Sequence, residues 1–95
     1  MVAYRLVIAR SVADRIRNLP PDLKHRIREA LRAIGGDPVR GEPLERELDA
    51  YRKYKVRRYR IIYQVDRAKK TVRIVALGHR RTIYEEATDL IRSGG

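Results

Sequence analysis

Apolar residues recur along the chain in two rhythms, and each change of rhythm marks the border of an element. Val2-Ala3-Tyr4-Arg5-Leu6-Val7-Ile8 is rich in β-branched and aromatic residues and predicts a first strand. Ser11 then offers an N-cap to a short helix in which Val12, Ile16 and Leu19 fall at helical spacing. Pro20-Pro21 ends that helix and opens the next, since proline is tolerated in a first turn. In the second helix Leu23, Ile27, Leu31 and Ile34, with Ala30 beside them, make one apolar stripe, while Lys24, His25, Arg26, Arg28 and Arg32 lie off it. Gly35-Gly36 and Pro38 stop it, and the two helices are expected to form an αα-hairpin that covers a sheet.

Residues 36–49, GDPVRGEPLERELD, carry both Gly and Pro and read as a surface loop. Three β-like segments follow, at 50–56, 59–65 and 71–78, and then a final helix over 83–92. The order β-α-α-β-β-β-α predicts an α+β domain spanning 1–95, with helices against one face of a largely antiparallel sheet.

Within the first two of those β segments the alternation sorts side chains. With Arg57-Arg58 as a two-residue turn, Val56 pairs with Tyr59, Lys55 with Arg60, Tyr54 with Ile61 and Lys53 with Ile62. Tyr54, Val56, Tyr59, Ile61, Tyr63 and Val65 then face the helices, and Lys53, Lys55, Arg60, Ile62 and Gln64 face the other way. If Val65 meets Val72, Ile74 and Ala76 join the first face and Arg73, Val75 and Leu77 the second, with His79 and Arg80 arriving at the edge of the cationic group. Arg57-Arg58 is poor chemistry for a primed turn, so a longer, bulged connection stays open at this level.

Composition sharpens that picture. Among 95 residues, 23 Lys+Arg against 12 Asp+Glu give a net charge of +11, which favours a polyanionic partner, nucleic acid first. Six of the cations fall between Arg52 and Arg60, where like charges on neighbouring strands repel. Lysines that discourage edge pairing account for Lys53 and Lys55. They account less well for Arg60, which precedes Ile61-Ile62 in an interior strand and wants an anion to offset its desolvation. A phosphate supplies one. The chain has no cysteine, so a disulfide framework and a thiolate metal site are excluded, and His25 and His79 are too far apart in sequence to read as a metal pair. No metal or cofactor is expected. No window reaches membrane-spanning length and the N-terminus lacks signal-peptide features, so the expected location is the cytoplasm.

Tyr59-Arg60-Ile61-Ile62-Tyr63-Gln64-Val65, then Leu77-Gly78-His79-Arg80-Arg81 with Tyr84 beyond, resemble the RelE/ParE superfamily of toxin–antitoxin toxins over nearly the whole chain. The resemblance implies a toxin held inactive by a cognate, acidic, RelB-like antitoxin in a hetero-oligomer. That antitoxin would displace helix 83–92 or lie along the sheet and helices. For RelE-type members it further implies a ribosome-dependent endoribonuclease, an mRNA interferase acting in the A site. Carried over residue by residue, it makes Lys53 and Lys55 the strand lysines, Arg60 and Arg80 the arginines at the scissile phosphate, and Tyr84 the aromatic residue near the reacting nucleotide. The YoeB-type branch adds Glu42, in Glu42-Pro43-Leu44, as base and His79 as acid.

Attack of a 2′-OH on its own phosphate needs a base, charge stabilisation at the phosphoryl oxygens and an acid at the leaving oxygen. Arg60 and Arg80 suit the phosphate through the guanidinium fork. The base is left between Lys55, whose neutral form is favoured by Arg60 and partial burial, and Glu42, and His79 is a candidate acid. Two further functions compete: a ParE-type toxin that poisons DNA gyrase by binding, and a non-catalytic nucleic-acid-binding relative.

Overall fold

The computed structural model describes residues 3–93; Val2, at the head of the expected first strand, lies outside them. Strand β1 (Arg5–Ile8) leads into helices α1 (Arg10–Arg17) and α2 (Pro21–Gly36), then a two-residue strand β2 (Glu42–Pro43) and strands β3 (Arg52–Val56), β4 (Tyr59–Asp66) and β5 (Thr71–His79), and ends in helix α3 (Ile83–Arg92). The sheet order is β1-β5-β4-β3-β2. β1 runs parallel to β5 and the remaining pairs are antiparallel. The class is α+β as expected, in a RelE-like arrangement, with β2 as an extra strand inside the segment read as a loop.

Local chemistry explains where α2 starts. Pro21 is the first residue of α2, with Pro20 at its N-cap. Ser11 does not cap α1; it lies inside the first turn, and Ala9 holds the N-cap position without a side-chain bond. Gly35 and Gly36 are still helical. The last turn of α2 is tied to the entry of β1 by the Tyr4 N–H, which donates to the Gly35 carbonyl at 2.9 Å.

The core is divided between the two faces of the sheet. Val12 and Ile16 of α1 and Ile27, Ala30, Leu31 and Ile34 of α2 pack on Val56, Ile61, Tyr63, Val72, Ile74 and Leu77. On the other face Ile83 and Ala87 of α3 pack on Ile62 and Ala76, with Leu44, Tyr51, Val75 and Tyr84 around them. The helical hairpin therefore covers one face as expected, while α3 covers the opposite one. Ile61, Ile62 and Tyr63 are all 0% exposed, so β4 is buried on both sides.

A β-bulge sets this partition. Tyr63 pairs with Ile74 but Ile62 pairs with Ala76, so Val75 is the extra residue in β5. Beyond it the faces exchange relative to the uninterrupted alternation. Leu77 joins the helical-hairpin core, and Ala76 and Gly78 turn toward α3, the reverse of the expected assignment of Ala76 and Leu77.

Candidate functional site

The β3–β4 hairpin has the register read from the alternation: Val56 opposite Tyr59, Lys55 opposite Arg60, Tyr54 opposite Ile61 and Lys53 opposite Ile62. Lys53, Lys55 and Arg60 consequently share the α3 face of the sheet. The two-residue turn is real, and it forces Arg57 to a φ of 54°, the left-handed region that Asn or Gly would occupy more easily.

Tyr63 and Gly41 bring a carboxylate to this face. The buried Tyr63 hydroxyl donates to the Pro38 carbonyl at 2.7 Å and accepts the Gly41 N–H at 2.9 Å. Burial pushes its phenol above the ordinary tyrosine value. Gly41 has no room for a side chain, since a Cβ would collide with the Tyr63 hydroxyl and lie 2.6 Å from the Lys53 carbonyl. The chain then enters β2, where Glu42 sits opposite Lys53. Its carboxylate lies 3.3 Å from Lys55 Nζ and 3.9 Å from Lys53 Nζ. Lys53 is also 5.6 Å from the ring centroid of Tyr84, a cation–π distance.

Glu42, Lys53, Lys55 and Tyr84 thus form one connected group with Arg60 on the same face. The described charged partner of Lys55 is this carboxylate and not Arg60, and the Lys55 side chain is 54% exposed. Arg60 folds back on its own hairpin, donating from Nη1 to the carbonyls of Arg57 at 2.9 Å and Tyr59 at 2.8 Å. Those carbonyls meet part of the demand for an acceptor that the alternation alone leaves wholly to a phosphate.

The remaining two expected residues diverge at the end of β5. Arg80 extends the ladder, its N–H donating to the Arg58 carbonyl at 2.7 Å, and its side chain is exposed. His79 pairs with Tyr59 and points to the helical-hairpin side, its ring 6.1 Å from the Tyr59 ring in an edge-on arrangement. The bulge at Val75 is the cause: without it His79 would fall on the lysine face. Its Nδ1 accepts the Arg81 N–H at 3.2 Å, which ties the histidine to the turn that presents Arg80. Among the described residues no group of three or more His, Asp or Glu side chains could hold a metal ion. Also among them, no helix is long and apolar enough to cross a membrane.

The family model described as ParE toxin of type II toxin–antitoxin system, parDE, matches residues 7–84. The chain belongs to this family of toxins. No curated protein matches it. Among solved structures, this ParE-family toxin is similar to the toxin–antitoxin complex RelBE2 from Mycobacterium tuberculosis, at 29% identity and a TM-score of 0.76 over 84% of this chain and 94% of that one. A doubly substituted variant of the E. coli toxin RelE in the free state gives 25% identity and a TM-score of 0.75 over 93% and 97%. An archaeal RelE–RelB complex from Pyrococcus horikoshii, at 24% identity, a TM-score of 0.69 and coverage of 83% and 97%, shares the fold. The protein is therefore a RelE/ParE-superfamily toxin of a type II toxin–antitoxin system.

Proposed function

We propose that this toxin is an endoribonuclease that cuts messenger RNA in the ribosomal A site, using side chains alone for charge and proton transfer. The observation that carries the reading is the Glu42 carboxylate set between Lys55 and Lys53, beside Tyr84 and on the face of Arg60. A ribonucleotide on that face meets every group the reaction needs. Glu42 takes the 2′-OH proton as the oxygen attacks phosphorus. The 2′-O–P bond forms as the P–O5′ bond breaks, leaving a 2′,3′-cyclic phosphate. A protonated Lys53 or Lys55 returns a proton to the departing 5′ oxygen. Arg60 and Arg80 hold the non-bridging oxygens, where charge builds up in the transition state. Tyr84 offers a ring for a splayed base. His79, on the opposite face, holds the turn that carries Arg80.

The partner of the free toxin is an acidic, RelB-like antitoxin, and the pair forms a hetero-oligomer in the cytoplasm. Support comes from the matched structures described as toxin–antitoxin complexes and from the charge of +11. A second reading, binding and poisoning of DNA gyrase, is favoured by the family description, which is that of a ParE toxin. Toeprinting on translating ribosomes separates the two. The wild type is expected to give A-site cuts that Arg80→Ala abolishes. Absence of cuts, with gyrase-dependent DNA breaks instead, would install the second reading.

A further inference from the structure

We infer that Arg15, a surface residue of α1 that the sequence gives no role, is a positioning residue for Arg80 and Tyr84. Its Nη1 donates to the Leu77 carbonyl at 2.6 Å and to Glu86 Oε2 at 3.1 Å. One guanidinium nitrogen therefore joins three elements: α1, the end of β5 and the first turns of α3.

The reason lies in the sheet edge. β1 pairs with β5 only as far as Ile8 opposite Ile74, and Ala9 N–H closes the ladder on the Ile74 carbonyl. Past the bulge, β5 has no strand on that side, and the Leu77 carbonyl is an acceptor at an open edge. Arg15 takes the place of the missing strand. Gly78 shows how closely the parts converge, because a Cβ there would lie 2.9 Å from Arg15 Nη1, 3.0 Å from Ile83 Cδ1 and 3.2 Å from Glu86 Oε2. Two residues after Gly78 comes Arg80, and one residue after Ile83 comes Tyr84, whose ring lies over Lys53. Fixing Leu77 and Glu86 together thus sets the distance between the arginine and the aromatic ring, from the open edge of β5, the edge away from the lysine-bearing β3.

The energetics separate this role from a merely structural one. The side chains of Arg15 and Glu86 are 46% and 41% exposed, so water can replace either bond and the pair adds little to stability. Placement at the reacting centre is far more sensitive to small displacements.

The inference rests on the ribonuclease reading for its kinetic arm only. On ribosome-bound messenger, Arg15→Ala is expected to lower kcat roughly 10- to 100-fold. KM should stay within about twofold and the melting temperature nearly unchanged. Arg15→Lys, which can still meet one partner, should recover part of the loss. Independently of cleavage, the Tyr84 ring resonances should shift in Arg15→Ala and return toward wild type in Arg15→Lys. A variant Arg15→Ala that melts lower but keeps both kcat and the Tyr84 resonances would overturn the inference. If the wild type does not cut RNA, the function proposed above falls, and the Tyr84 resonances alone decide the role of Arg15.

Discussion

Tyr63 and Glu42 connect burial to chemistry. Tyr63 contributes a phenol enclosed between the Pro38 carbonyl and the Gly41 N–H. Tyr63→Phe leaves both backbone groups without that partner, at a cost of about 1–3 kcal/mol, measurable by urea denaturation at neutral pH. The pH dependence follows from the raised phenol. Its folded value lies above the unfolded one of about 10, so its contribution is complete below that pH and is lost as the pH rises through the folded value. Denaturation curves taken from pH 7 upward should therefore fall more steeply above about pH 10 for the wild type than for Tyr63→Phe. Glu42 lies at the outer end of the same support. Its carboxylate is 60% exposed, so Glu42→Gln should change stability by no more than about 1 kcal/mol while lowering cleavage by roughly 10²–10⁴. Cleavage that survives the substitution would remove Glu42 from the role of base and leave it as a charge that holds the lysines together.

At the scale of elements, the hairpin and the bulge show what a pattern of side chains does and does not encode. The β3–β4 register is legible because the two faces differ so sharply: lysines and Arg60 alternate with tyrosines and aliphatics, and a slip of one residue would bury the cations. The bulge is not legible. Val75, Ala76 and Leu77 are all apolar, so nothing in them marks where the alternation changes phase, and an uninterrupted alternation puts His79 on the wrong side of the strand. The side taken by α3 does leave a signal, since Ile61-Ile62-Tyr63 is the continuous apolar run of a strand covered on both faces. Two substitutions probe these elements. Arg57→Gly should relieve the left-handed φ of 54° and stabilise the toxin by up to about 1 kcal/mol, read as a higher urea midpoint with an unchanged slope. Gly78→Ala should act in the opposite sense by about 1 kcal/mol, since the ends of Arg15 and Glu86 can move aside while the buried Ile83 Cδ1, 3.0 Å from the new Cβ, has to give.

For the whole molecule the deciding quantity is where the surplus charge is used. A charge of +11 attracts any polyanion, so affinity by itself says little about function. Salt dependence is more informative, because each phosphate neutralised releases counterions and steepens the fall of affinity with salt. If single-stranded RNA lies on the α3 face, its binding should respond to the residues gathered there and much less to cations elsewhere. Lys53→Gln with Lys55→Gln, measured by fluorescence anisotropy on a short RNA across a salt series, should reduce the slope of log affinity against log salt by about 1.4, at roughly 0.7 for each phosphate no longer neutralised. Arg28→Gln with Arg32→Gln removes the same charge from the exposed side of α2, on the far face of the sheet. On the proposed reading that pair leaves the slope nearly unchanged. Equal losses from both pairs would mean that RNA senses only net charge, and the lysine face would then have no claim to the substrate over any other cationic surface of the toxin.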